Sequence, residues 1–137
     1  MKPSIFKPEQ AVTIATTNGS IEALFADQNS GVNAIICAPH PHHDGSMHNK
    51  VVATMTQVCL DQGLNTLRFN YRGVGASTGD LPTYSAALQD VTFVKEYLPS
   101  LPTICLGFSY GSYVAAYLSG LVVASCLLYT SPSPRDS

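Results

Sequence analysis

The sequence has no tryptophan and little charge. Only 7 Lys and Arg and 9 Asp and Glu stand among 137 residues, a formal net charge of −2. The cations are scattered, so no basic patch or basic amphipathic helix points to nucleic acid or a membrane surface. No apolar run approaches the roughly 20 residues of a spanning helix. The opening residues, Met1-Lys2-Pro3-Ser4-Ile5-Phe6-Lys7-Pro8, lack the apolar core of a signal peptide. These absences lead us to expect a cytoplasmic protein with neither a nucleic-acid nor a membrane partner. No Cys-x-x-Cys pair occurs among Cys37, Cys59, Cys105 and Cys126. Cys37 and Cys105 sit inside apolar runs, so buried free thiols are expected rather than a disulfide framework.

What is present is apolar material: 45% of the residues are hydrophobic, enough to bury a core in one domain. Residues 11–15 and 21–26 are short β-branched runs flanking Thr17-Asn18-Gly19-Ser20, a hairpin signal. Residues 32–38 form a continuous apolar run, as in a strand buried on both faces. A turn-rich loop, Pro39-His40-Pro41-His42-His43-Asp44-Gly45-Ser46-Met47-His48, follows. The spacing then predicts a helix over 49–62 with Val51, Val52, Met55, Val58 and Cys59 on its apolar face, and Gly63 as its stop. Residues 65–69 read as a strand and 70–80 as a glycine-rich loop. A second helix is expected over 83–98, with Tyr84, Leu88, Val91, Val94 and Leu98 inward. Strands alternating with helices imply a mostly parallel sheet behind an antiparallel hairpin.

The chain is organised around Gly107-Phe108-Ser109-Tyr110-Gly111. An apolar run (103–106) precedes it, and a helical pattern (112–118) follows. Strand, Gly-x-Ser-x-Gly and helix in that order is the layout of a nucleophile elbow. There a serine rides on a turn so sharp that Gly107 and Gly111 must lack side chains. Tyr110, Tyr113 and Tyr117 share one side of the following helix and are expected to pack into the core.

The elbow, the His40-Pro41 loop and Arg72-Gly73-Val74-Gly75-Ala76-Ser77 together resemble the α/β-hydrolase superfamily. Pro39-His40-Pro41, Gly45-Ser46-Met47, Asn49-Lys50-Val51-Val52 and Arg68-Phe69-Asn70-Tyr71-Arg72-Gly73-Val74-Gly75 are similar to small bacterial members related to dienelactone hydrolases and carboxylesterases. The resemblance runs from about residue 35 to 118. It implies an α/β fold with a doubly wound, mostly parallel sheet, ending in this chain after the elbow. It also implies Ser109 as nucleophile and the Tyr110 backbone N–H as one oxyanion donor. The second donor is expected from the His42 N–H, because Pro41 has none to give. His40 and Arg72 are expected to brace their loops, Arg72 through backbone carbonyls. The implied substrate is a small molecule with an ester, thioester or related acyl bond, attacked without metal or organic cofactor.

In this superfamily the triad acid and histidine follow the serine along the chain. All four histidines here (His40, His42, His43 and His48) precede Ser109, and the one carboxylate after it is Asp136. The chain alone is therefore expected to lack turnover. Residues 126–137 resemble the translation of a sequencing adapter, so we expect residues 1–125 to be part of one hydrolase domain and the tail to be non-native. Residues 121–124 could begin a further strand. Two rival readings carry different chemistry. A non-catalytic binding or scaffold protein would use Ser109 only as a turn residue. A zinc hydrolase would use His40, His42 and Asp44, yet Gly45 stands where that pattern needs another histidine, and further ligands are missing. Gly73, Gly75 and Gly79 match a dinucleotide fingerprint poorly, because no helix opens directly from them.

Overall fold

Apolar alternation and turn chemistry build the elements in the expected order. The structure is a computed structural model that describes residues 8–43 and 45–119. Asp44, the possible strand at 121–124, Cys126 and the tail lie outside the described residues. Strands β1 (Gln10–Ala15) and β2 (Ser20–Ala26) form the hairpin, with Ile14 opposite Ile21. Its loop is four residues long, closed by the Thr16 N–H donating to Gly19 O at 2.9 Å. Strand β3 (Asn33–Cys37) is buried at every position. Burying Ile35 and Ile36 contributes about 1.5–3 kcal/mol each before chain entropy is counted.

Helix α1 (Lys50–Asp61) starts where Asn49 Oδ1 accepts the Val51 N–H at 2.8 Å. It stops in a Schellman turn: Gly63, at φ +80, donates to Leu60 O, and Leu64 donates to Cys59 O. The buried face of α1 is Val52, Thr56, Cys59 and Leu60, and Val58 is 54% exposed. Of the expected face, Val52 and Cys59 join the core and Met55 packs against it, whereas Val58 points outward; Thr56, not expected there, is buried with its hydroxyl donating to Val52 O at 2.8 Å. Strand β4 (Asn65–Phe69) follows, then α2 (Tyr84–Tyr97), capped by Thr83, then β5 (Thr103–Gly107) and α3 (Tyr110–Ser119). On α2 the innermost residues are Ala87, Asp90, Val91 and Val94; Tyr84 and Leu88 lie partly buried beside the core.

The sheet order is β1-β2-β4-β3-β5, antiparallel from β1 to β4 and parallel across β4, β3 and β5. The chain steps one way from β3 to β4 and the other way from β4 to β5. With right-handed crossovers, that reversal puts α1 on one face and α2 on the other. Helix α1 packs on β3 and β4, α3 packs on β5 and β3, and α2 packs against α3. Cys37, Cys59 and Cys105 are free and buried, as expected. Tyr110 joins the core with Val114 and Ala115, whereas Tyr117, expected inward, is 58% exposed. Among the described residues no helix is long and apolar enough to cross a membrane.

Candidate active site

Sheet order decides which loops meet. Strands β3 and β5 are neighbours, and their last register pair is Cys37 with Gly107. The His40 loop and the Ser109 turn leave the same sheet edge side by side, at the carboxyl ends of parallel strands where α/β sheets bind ligands.

Ser109 adopts φ 58, the left-handed region, at a cost of about 1–2 kcal/mol for a residue with a Cβ. The turn around it is over-determined. A Cβ on Gly107 would strike the Gly111 carbonyl, and a Cβ on Gly111 would strike the Cys37 and Ala38 carbonyls. Both glycines are needed for close backbone approach. The Gly111 N–H donates to Phe108 O and the Ser112 N–H to Ser109 O, each at 2.9 Å. The Ser112 hydroxyl adds a 2.6 Å bond to the same Ser109 oxygen. Tyr110 opens α3, so its backbone N–H has no helical carbonyl to reach. Among the described residues that N–H donates to no protein group.

The Tyr110 side chain is a pillar rather than a reagent. It is 3% exposed and meets the rings of His40, Tyr84 and Tyr71 edge-on at 5.0, 5.8 and 6.0 Å. Burial, with Tyr84 and Asp90 adding, pushes its hydroxyl up to about 12, so the phenol stays neutral. Tyr71 ties the pillar to the residue just after β3 by donating its hydroxyl to Ala38 O at 2.7 Å.

The His40 loop is a tight turn. The His43 N–H donates to His40 O at 2.8 Å, and the His42 N–H donates to His40 Nδ1 at 3.0 Å. The N–H expected to serve an oxyanion is thus engaged within its own loop. Burial, followed by the neighbouring His42 and His43, lowers the His40 pKa below 6.5. Gly45 lets the loop fold back, because a Cβ there would strike the His40 and Pro39 carbonyls. Asn70 Oδ1 accepts the Met47 N–H at 2.8 Å and Arg68 Nη1 donates to Met47 O at 2.9 Å, anchoring the far end. The His40 ring meets those of His42 and His43 edge-on at 5.1 and 5.6 Å. Among the described residues no three His, Cys, Asp or Glu side chains are grouped to hold a metal ion.

Arg72 is not drawn into this site. Its Nε and Nη2 donate to Asp90 Oδ1 at 2.9 and 2.8 Å, and its backbone N–H donates to Asp90 Oδ2 at 2.9 Å. One carbonyl, Ala86 O, also accepts from Nη2 at 3.2 Å. The brace is therefore mainly a carboxylate, not the carbonyls expected, and Asp90 is 1% exposed. The glycine-rich loop closes on protein groups. Glu22 Oε1 accepts the Ala76 N–H and Asn70 Nδ2, both at 2.8 Å, and Ser77 Oγ donates to Asn70 O at 2.7 Å. Asp90 is the supporting residue that sequence reasoning missed, and Tyr71 and Tyr84, though noted, were given no part in the site. A carboxylate on the inward stripe of α2, after a lone arginine in a glycine-rich loop, was the available signal for Asp90.

No family model matches the sequence. An uncharacterised protein of Rickettsia prowazekii is 33% identical over 107 residues, which cover 73% of this chain and 45% of that protein. Among solved structures, an alpha-beta serine hydrolase homologue from Coxiella burnetii superimposes with a TM-score of 0.76 at 32% identity. A serine hydrolase without a lid from Xanthomonas campestris does so with a TM-score of 0.72 at 30% identity. Each of these two matches covers 85% of this chain and 59% of the other. The chain thus spans about half the length of the relatives it matches.

Proposed function

The chain belongs to the α/β-hydrolase superfamily, and on that premise we propose that the whole protein is a serine hydrolase acting on a carboxylic ester, thioester or related acyl bond. The observation that carries this reading is the strained Ser109 between two glycines that tolerate no side chain. Nothing in local turn chemistry asks for a serine at φ 58, where glycine would be relaxed. Ser109 Oγ attacks the acyl carbon and passes its proton to the base; the C–O or C–S bond to the alcohol or thiol then breaks, the leaving group takes that proton, and the acyl-enzyme remains for water to hydrolyse. The Tyr110 N–H and, once released, the His42 N–H hold the oxyanion; one such donor is worth about 3 kcal/mol of transition-state stabilisation. The α3 N-terminus adds a favourable dipole.

A serine hydroxyl needs a base. No histidine follows Ser109 in the sequence. This reading therefore assigns the histidine and its acid to residues beyond these 137, treats residues 126–137 as foreign, and gives the 137-residue polypeptide no turnover of its own. Re-reading the source DNA past the Ser125 codon, then treating the protein so encoded with a fluorophosphonate, tests the proposal. An adduct at Ser109, abolished in Ser109→Ala, supports it; no adduct refutes it. Ester hydrolysis by the 137-residue chain, lost in Ser109→Ala, would refute the assignment of the base.

A further inference from the structure

Residues 41–43 offer only two backbone N–H groups, because residue 41 is proline. His40 accepts both. Its carbonyl takes the His43 N–H at 2.8 Å and its Nδ1 takes the His42 N–H at 3.0 Å. We propose that His40 is a positioning residue that competes with substrate for the second oxyanion donor: its ring holds the His42 N–H in the resting site and yields it to the acyl oxygen. This rests on the serine-hydrolase reading.

The valence of the donor makes the competition direct. An amide N–H has one proton, so it cannot serve Nδ1 and an oxyanion at full strength together. Accepting at Nδ1 requires the neutral imidazole with its proton on Nε2. Three rings meet it edge-on: His42 and His43 from the same loop, and Tyr110 from α3. The ring also touches the residue of the other donor. Its edge contact with Tyr110 at 5.0 Å joins it to the residue that carries the first donor N–H. Both donors of the site are thereby linked to one imidazole. The loop backbone folds back on itself, with Gly45 so near the His40 and Pro39 carbonyls that a Cβ there would strike them. Release is a turn of the His40 side chain, which leaves the His43 bond intact.

The test separates the ring from the backbone. His40→Phe keeps an aromatic edge for Tyr110 and removes the acceptor. His40→Asn restores an acceptor two residues before the His42 N–H, as in an Asx turn. Amide hydrogen exchange is measured on the full chain, with the His43 amide as internal control. The His42 amide should exchange about fivefold faster in His40→Phe, the factor expected for losing one neutral hydrogen bond. It should stay near the wild-type rate in His40→Asn, with His43 unchanged in both. Equal His42 rates in all three proteins, or matching acceleration at His43, would overturn the proposal. Fluorophosphonate labelling of Ser109 in the protein read past the Ser125 codon supplies the second measurement. His40→Phe should label about fivefold faster than wild type, again the weight of one hydrogen bond. Labelling at an unchanged or lower rate overturns the competition alone. Absence of labelling in every variant overturns the hydrolase reading and this role with it, whatever exchange reports.

Discussion

Replacing Asp90 by alanine should lower stability by about 3 kcal/mol. The carboxylate is 1% exposed, so its charge depends on the three bonds it accepts from Arg72, at 2.8, 2.9 and 2.9 Å. Breaking a buried pair from one side costs about 3–5 kcal/mol, and the lower end applies here. The Arg72 side chain is 32% exposed, so water recovers much of the guanidinium, and Ala86 O and Gln89 Oε1 remain as partners. The Arg72 backbone N–H recovers less, and an orphaned buried N–H costs about 1–3 kcal/mol by itself. Urea unfolding followed by circular dichroism should show a lower midpoint at an unchanged slope. The melting temperature should fall by roughly 10 °C for a domain of this size. Asp90→Asn, which keeps one acceptor, should lie between alanine and wild type. A loss under about 1 kcal/mol in Asp90→Ala would mean that the pair behaves as a surface ion pair, and the argument from burial would fail.

Gly111→Ala should destabilise by more than the usual 1–3 kcal/mol of overpacking, because the obstacle is the β3 backbone; urea midpoints near wild type would contradict this. Ser109→Gly should be about 1 kcal/mol more stable than Ser109→Ala, since glycine alone is relaxed at φ 58; equal midpoints would remove the strain. His40 has a folded pKa below its ordinary 6.5, so the unfolded chain binds more protons just below that pH. The His40 contribution is therefore complete above 6.5 and is lost as pH falls through the folded value. The wild-type midpoint should drop below that pH more steeply than that of His40→Asn, and parallel curves would refute the assignment. Burial raises the Cys37 and Cys59 thiols and pushes Cys105 up to about 11, so native protein near pH ~8 should resist maleimide at all three. Rapid modification at any of them by mass mapping would contradict the packing.

The elbow was legible because its requirements are local. A strand, two glycines four residues apart and a helix leave few alternatives, and Asn18-Gly19 announced the hairpin for the same reason. What escaped the sequence is pairing at a distance. Asp90 meets Arg72 across 18 residues, and Arg68 meets Glu9 across 59. No periodicity records which charge will be neutralised by a group arriving from another element. The edge of the α1 face escaped for a related reason. Thr56 is as easily buried as Val58 once its hydroxyl bonds its own helix, so apolar spacing alone put Val58 inward and left Thr56 out. The engaged His42 N–H was hidden because an imidazole in a turn can accept from its own backbone, and residue type does not say whether it will.

The surface that Gly111 lies on is made of the Cys37 and Ala38 carbonyls, not of side chains. A backbone wall has no sequence. Directed evolution can therefore exchange the residues that line the loops above it, to admit a bulkier or more polar molecule, while the hydroxyl of Ser109 stays where the peptide groups of β3 put it. The same property restricts any attempt to shift that hydroxyl by point mutation, since a ruler made of main chain can be moved only by moving the strand.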